Sequence, residues 1–158
     1  SLLPLLTVPT IIKGKYLFKS IDLFTDIQEQ IYILNTLNIK TSYNNETNDL
    51  FIDSTNINIQ PNIHIQQKRS TRGIIYFMGS LIKYKSIITI SKPGGCQIGQ
   101  RKLDMHFDFF KNLGVNVKEN NTKYILDCTN YNENKKFEYS FKKISVGATI
   151  NSLLSSIT

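Results

Sequence analysis

A chain of 158 residues, 41% hydrophobic and 20% charged, has the composition of one globular domain large enough for a proper core. No apolar run approaches the ~20 residues of a bilayer span, no basic region precedes the N-terminal Leu/Pro stretch, and two cysteines form neither a disulfide framework nor a zinc spacing; the expectation is a soluble, cytoplasmic chain with no metal. The net charge of +7 comes from scattered lysines with no aromatic interleaving and no RNA- or DNA-binding signature, so an anionic small-molecule substrate accounts for it as well as nucleic acid would.

Read from the N-terminus, residues 2–12 predict a helix that Pro9 shortens, leading into the strand Tyr16-Leu17-Phe18. Ile27, Ile31, Leu34 and Leu37 then fall on one face of a second helix, left by Asn38, a residue suited to a left-handed C-terminal position. The strand Ile39-Lys40-Thr41, an Asn-rich turn and the return strand Leu50 to Thr55 complete the unit. The pattern then recurs 76 positions later, which is the strongest statement about fold that the chain makes. Residues 71–84 predict a helix with Ile74, Met78 and Leu81 buried, followed by the strand Ile87-Ile88-Thr89-Ile90. Leu103, Phe107, Phe110 and Leu113 repeat the helical face and Gly114 leaves it; Val115-Asn116-Val117 and Tyr124 to Thr129 repeat the two strands.

A third copy of the upstream helix begins at Ser145-Val146-Gly147-Ala148-Thr149. Repeat one is thus placed at about 1–66, repeat two at about 67–142 and the opening of a third at about 143–158, each an α/β unit of helices and a small sheet. Ser1 is not an initiator methionine, and the final stripe of Ile150, Leu153, Leu154 and Ile157 has no cap, so the chain reads as a piece of something longer.

Two features stand outside this packing pattern. Pro93-Gly94-Gly95-Cys96-Gln97-Ile98-Gly99-Gln100-Arg101 carries one of the two cysteines in a glycine-rich stretch beside an arginine. Nearby cations lower a thiol pKa, and glycines let a backbone approach a ligand, so the residues fit a reactive cysteine; they equally fit a Pro-Gly-Gly turn carrying a small hydrophobe. The chain is also poor in arginine and rich in Asn, Ile and Lys, which draws attention to Arg69, Arg72 and Arg101, since guanidinium is preferred where a carboxylate or phosphate is gripped bidentately. Cys128 aligns with Ser54 in the return strand and is read as a packing residue. His106 and His64, by pattern alone, are surface residues, and Ser145 is a plain helix N-cap.

The cysteine loop, the Leu103-Asp104-Met105-His106 that follows, Phe110-Lys111-Asn112-Leu113-Gly114 and Lys143-Ile144-Ser145-Val146-Gly147-Ala148-Thr149 together resemble the UDP-N-acetylglucosamine 1-carboxyvinyltransferase family of enolpyruvyl transferases, in order and spacing along nearly the whole chain. The resemblance implies an inside-out α/β barrel of three helix-and-sheet units about a pseudo-threefold axis. The chain would be most of one such domain, with the opposite domain, its catalytic aspartate and a Lys-Asn pair before Ser1 outside it. It also implies transfer of the enolpyruvyl group of phosphoenolpyruvate to UDP-N-acetylglucosamine without a cofactor, by a protein that is monomeric when complete and binds neither membrane nor nucleic acid.

By the same resemblance Cys96 is the general acid, which also forms a covalent adduct with phosphoenolpyruvate and is the site of alkylation by fosfomycin, while Arg72 and Arg101 bind phosphoenolpyruvate. The nucleotide sugar would be held by Arg101, Lys102, Leu103, Asp104, Met105, His106, Lys143, Ser145, Val146 and Gly147. The chain departs from the family where Gln100-Arg101-Lys102 stands in place of Ala-Arg-Pro, losing the fixed φ of proline before the nucleotide-contacting turn.

Overall fold

The computed structural model describes residues 2–92, 103–134, 136 and 138–157. The chain opens with a 3-10 helix, Leu5–Thr10, shorter and tighter than the helix expected over residues 2–12. Pro9 lies inside it and has no N–H to give an α-helical ladder, which favours the short winding. Strand β1 (Lys15–Phe18), helix α1 (Thr25–Thr36) and strands β2 (Lys40–Asn44) and β3 (Asp49–Asp53) follow. β3 is central in an antiparallel sheet ordered β1-β3-β2, and its Leu50 and Ile52 are fully buried with Ile27, Ile33 and Leu34 of α1.

The next strand, β4 (Ile63–Ile65), has no counterpart in the sequence pattern; its Ile63 and Ile65 are buried while His64 between them is exposed. Residues 71–84 do not form one helix. They break into a 3-10 helix Arg72–Ile75, helix α2 (Tyr76–Leu81) and a second 3-10 helix Ile82–Tyr84. Two glycines and three isoleucines in fourteen residues give this stretch little helical propensity of its own, so tertiary packing sets its winding. The buried face is also wider than Ile74, Met78 and Leu81, because every residue from Phe77 to Leu81 is buried. α2 packs against the 3-10 helix Leu5–Thr10 and against α4 (Val146–Ser156), and a helix so enclosed is buried all round.

β5 (Ile87–Ser91), α3 (Asp104–Asn112), β6 (Asn116–Glu119) and β7 (Lys123–Asp127) build the second sheet, ordered β4-β5-β7-β6. β7 is antiparallel to both neighbours, as β3 is in the first sheet, and β4 adds a parallel edge strand. The likeness of the two units extends to single hydrogen bonds. Asn38 (φ 60°) and Gly114 (φ 88°) both leave their helices in the left-handed region, and the next N–H, Ile39 or Val115, donates back to Leu34 or Phe110 at 3.0 Å. Asp53 Oδ1 accepts from the Thr55 N–H and hydroxyl, and Asp127 Oδ1 accepts likewise from Thr129. These bonds stabilise the ionised carboxyls and hold both aspartates below the usual carboxylate range. Ser54 N–H donates to Gly14 O at 2.8 Å and Cys128 N–H to Ser86 O at 3.0 Å. Cys128 is fully buried, and burial pushes its thiol up to about 12, as suits packing rather than chemistry.

The closing stripe is only partly a core face. Leu154 is buried and Ile150 half-buried, but Leu153 and Ile157 are 61% and 40% exposed.

Candidate active site

Four helical stretches bring their N-terminal turns to one cleft of about 350 Å³, lined by Leu3, Asp26, Arg72, Gly73, Ile75, Tyr76, His106, Ser145, Val146 and Gly147. Asp26 is in the first turn of α1, Arg72 to Tyr76 open the stretch leading into α2, His106 is the third residue of α3, and Ser145 caps α4. Amides in a first turn have no intrahelical acceptor and carry the positive end of the helix dipole, so the convergence makes a surface that favours an anion, tempered by the Asp26 carboxylate. Arg72 is exposed at this rim, preceded by Thr71 in an extended conformation that starts the 3-10 helix.

Ser145 is the N-cap that its spacing predicts: its Oγ accepts from the Ala148 N–H at 3.3 Å, and its carbonyl accepts from the Thr149 hydroxyl at 2.9 Å. Capping by Ser145 and lining of the cleft coincide, because the side chain satisfies Ala148 while Val146 and Gly147, one and two residues on, stay at the cleft wall. Gly147 also admits the imidazole of His106, whose Cε1 and Nε2 lie 3.4 Å from where a Cβ would stand.

His106 is not a surface residue. It is 5% exposed, enclosed where α3 packs on α4, and its Nδ1 lies 2.9 Å from Asn151 Nδ2. Burial, with the Arg72 guanidinium adding, pushes its pKa down to about 4, so the ring is neutral. Asp104 and Met105 face elsewhere, onto a neighbouring cleft of about 390 Å³ with Asp108, Lys111, Glu119, Tyr139 and Lys142. Successive helical residues are about 100° apart, which divides the run 104–106 between two clefts. In the second, the Tyr139 hydroxyl donates to Asp108 Oδ2 at 2.8 Å, and burial together with that bond holds the phenol up at about 12.

Leu103, expected against the nucleotide, is instead 7% exposed in the core, and Lys143 is exposed beside α4. Cys96, Arg101 and Lys102 lie outside the described residues; in chain order their segment joins β5 to α3. Arg69 donates to Gln28 Oε1 at 2.9 Å on the exposed surface, in keeping with a surface charge. Asn151, Asp26 and Tyr76 were not legible as site residues. Only Asn151 leaves a trace in sequence, as a poor helix former inside the apolar run of α4. Among the described residues no helix is long and apolar enough to cross a membrane.

Repeated helix-and-sheet units with a cleft at converging helix starts define an α/β architecture built by repetition. Residues 8–158 match the family model described as EPSP synthase (3-phosphoshikimate 1-carboxyvinyltransferase), and the chain belongs to this family of enolpyruvyl transferases. It is 33% identical over 141 residues to UDP-N-acetylglucosamine 1-carboxyvinyltransferase 2 of Lactiplantibacillus plantarum, covering 89% of this chain and 32% of that protein. The enzyme of the same name from Staphylococcus aureus strain Mu50 is 31% identical over 147 residues, covering 92% and 33%. The chain thus spans about a third of the length of these relatives. In fold it is similar to the enolpyruvyl transferase NikO from Streptomyces tendae, with a TM-score of 0.68 over 98% of this chain and 35% of that one at 9% identity.

Proposed function

We propose that the protein of which this chain is a part transfers the enolpyruvyl group of phosphoenolpyruvate to the 3′-hydroxyl of UDP-N-acetylglucosamine, releasing phosphate, as an early cytoplasmic step of peptidoglycan synthesis. The observation that carries this reading is the glycine-rich sequence Pro93 to Arg101 around Cys96, in a chain 31–33% identical to relatives that bear the name of that transferase. The cleft at the helix starts supports it, since Arg72 and the positive ends of the helix dipoles suit a compact anion or a diphosphate.

In this reading Cys96 delivers its proton to the methylene carbon of phosphoenolpyruvate, and Arg72 and Arg101 hold the anion. The neighbouring carbon becomes oxocarbenium-like, and the sugar hydroxyl attacks it, losing its proton as the new C–O bond forms. A methyl proton then returns to the Cys96 thiolate as the bond to phosphate breaks, which regenerates the double bond and releases phosphate. Ser145, Val146, Gly147, Lys143 and His106 hold the nucleotide, with Asp104 and Met105 reached from the adjoining cleft. Leu103, Arg101 and Lys102 complete the nucleotide contacts.

A second reading, with shikimate 3-phosphate as acceptor, is favoured by the description of the matching family model. Phosphate release from phosphoenolpyruvate by the full-length protein, with each acceptor in turn, separates the two. Release with the nucleotide sugar alone is the expected result. Cys96→Ala in that protein should abolish turnover and leave nucleotide binding within a few-fold; wild-type turnover in the variant would remove Cys96 from its role. The 158-residue chain alone should be inactive in the same assay, as it carries a third of its relatives' length.

A further inference from the structure

A chain of hydrogen bonds runs from α2 through α4 to His106 and fixes where the imidazole carries its proton. The backbone N–H of Gly79 donates to Asn151 Oδ1 at 2.9 Å. A backbone N–H only donates, so the Asn151 amide has its oxygen toward Gly79 and its NH2 toward His106 Nδ1, 2.9 Å away. An amide NH2 also only donates. Nδ1 is therefore the accepting nitrogen, and the neutral ring holds its hydrogen on Nε2. Close helix approach makes this arrangement possible, since a Cβ on Gly79 would lie 2.4 Å from the Asn151 carbonyl oxygen and 2.8 Å from Oδ1. Asn151 is fully buried and His106 nearly so.

The other end of the ring meets the cleft. Nε2 is 3.4 Å from the Cβ position of Gly147, His106 lines the cleft with Arg72 and Ser145, and among the described residues no acceptor meets Nε2. We propose that Asn151 is a positioning residue that holds His106 as a neutral Nε2–H donor, so that the ring offers the cleft a fixed hydrogen bond to an anionic substrate oxygen and never acts as a base. This rests on the reading of the cleft as the anion site of the transferase. The charged groups that line the cleft with the ring are Arg72 on the 3-10 helix and Asp26 on α1; Asp104 and Asp108 of α3 itself line the other cleft, Tyr76 adds a phenol, and α4 has no charged residue. With a pKa of about 4 the ring stays a neutral donor at any physiological pH.

The variant Asn151→Asp keeps the shape and replaces the NH2 by an acceptor, which draws a proton onto Nδ1 and favours the imidazolium. The chain has two histidines, so ¹⁵N NMR of the ring nitrogens in the full-length protein separates His106 from the exposed His64. Wild-type His106 should show Nε2 protonated and Nδ1 bare from pH 5.5 to 8. In Asn151→Asp, Nδ1 should become protonated, the ring pKa should rise by more than one unit, and KM for the nucleotide sugar at pH 8 should rise about tenfold with kcat less changed. A wild-type ring protonated on Nδ1, or titrating between pH 6 and 8, overturns the proposal. So does a changed tautomer with unchanged KM. Should Asn151→Asp fail to fold, the wild-type spectrum still decides the tautomer, and His106→Gln, which retains an N–H donor, should bind several-fold better than His106→Leu; equal losses overturn the donor role. Because the tautomer is read without turnover, failure of the nucleotide sugar as acceptor would overturn the functional reading separately.

Discussion

At position 106 an imidazole that the helix pattern assigns to solvent is closed between two helices, bonded to Asn151 and close to Arg72. Its pKa falls from 6.5 to about 4, which ties it to stability. Between those values the unfolded chain binds a proton that the native state refuses, so the contribution of His106 is complete above about pH 6.5 and declines as pH falls toward 4. The full span corresponds to about 3 kcal/mol. Urea unfolding at pH 7.5 and pH 5.0 should show the loss, and His106→Phe should flatten it; an unchanged slope would place the acid sensitivity elsewhere. Cys128 acts in the opposite direction. Its thiol, raised from 9.0 to about 12, contributes fully below pH 9 and loses that contribution as pH climbs toward 12. Arg72, which lines the cleft, stood out in the sequence because arginine is scarce in this chain, whereas nothing in the spacing of His106 announced burial, since its partner stands 45 positions away.

Among the elements, the helix–strand–turn–strand unit was legible because its cues are local. Apolar residues at helical spacing, a residue tolerant of the left-handed region and an alternating strand follow one another within about thirty positions. The two helix exits make the point testable. Gly114 has φ 88° and a Cβ there would also meet the Asn130 carbonyl at 3.4 Å, so Gly114→Ala should cost about 1–2 kcal/mol. Asn38 occupies the corresponding place with φ 60°, and Asn38→Gly should be neutral or stabilising by a few tenths of a kcal/mol. Chemical denaturation midpoints check both, and an equal loss at the two sites would show that the exits are not equivalent in conformation. The fragmentation of residues 71–84 was not legible, because the apolar period continues through it and only contact with α4 and the first 3-10 helix sets the local winding. β4 was missed for a related reason: three residues are too few to establish an alternation, and its place is decided by pairing with β5.

For the whole molecule, the two units are joined by side chains that cap each other's backbone. The Tyr84 hydroxyl donates to Thr10 O and Lys83 Nζ to Ile11 O, each at 2.6 Å, tying the stretch after α2 to the carbonyls ending the first 3-10 helix. Tyr84→Phe leaves the Thr10 carbonyl without this donor and should lower global stability by about 1 kcal/mol, read as a shift of the single unfolding midpoint. A new, separate transition for the first unit would instead show that this bond holds the two units in one cooperative fold. At the same scale, α2 lies between the first 3-10 helix and α4, which places the starts of several helices around one cleft.

The sequence by itself determined the repeated α/β unit, the helix exits, the N-cap of α4 and the residues that resemble those of enolpyruvyl transferases, because each depends on side-chain type at short spacing. Only the tertiary structure decided which of those residues meet. It gathered Arg72, His106, Ser145, Val146 and Gly147 at one cleft, turned Asp104 and Met105 to another, sank Leu103 into the core and brought Asn151 to His106. Those outcomes depend on how helices far apart in sequence pack on one another, and a local pattern fixes which face of a helix is apolar without fixing the partner that covers it.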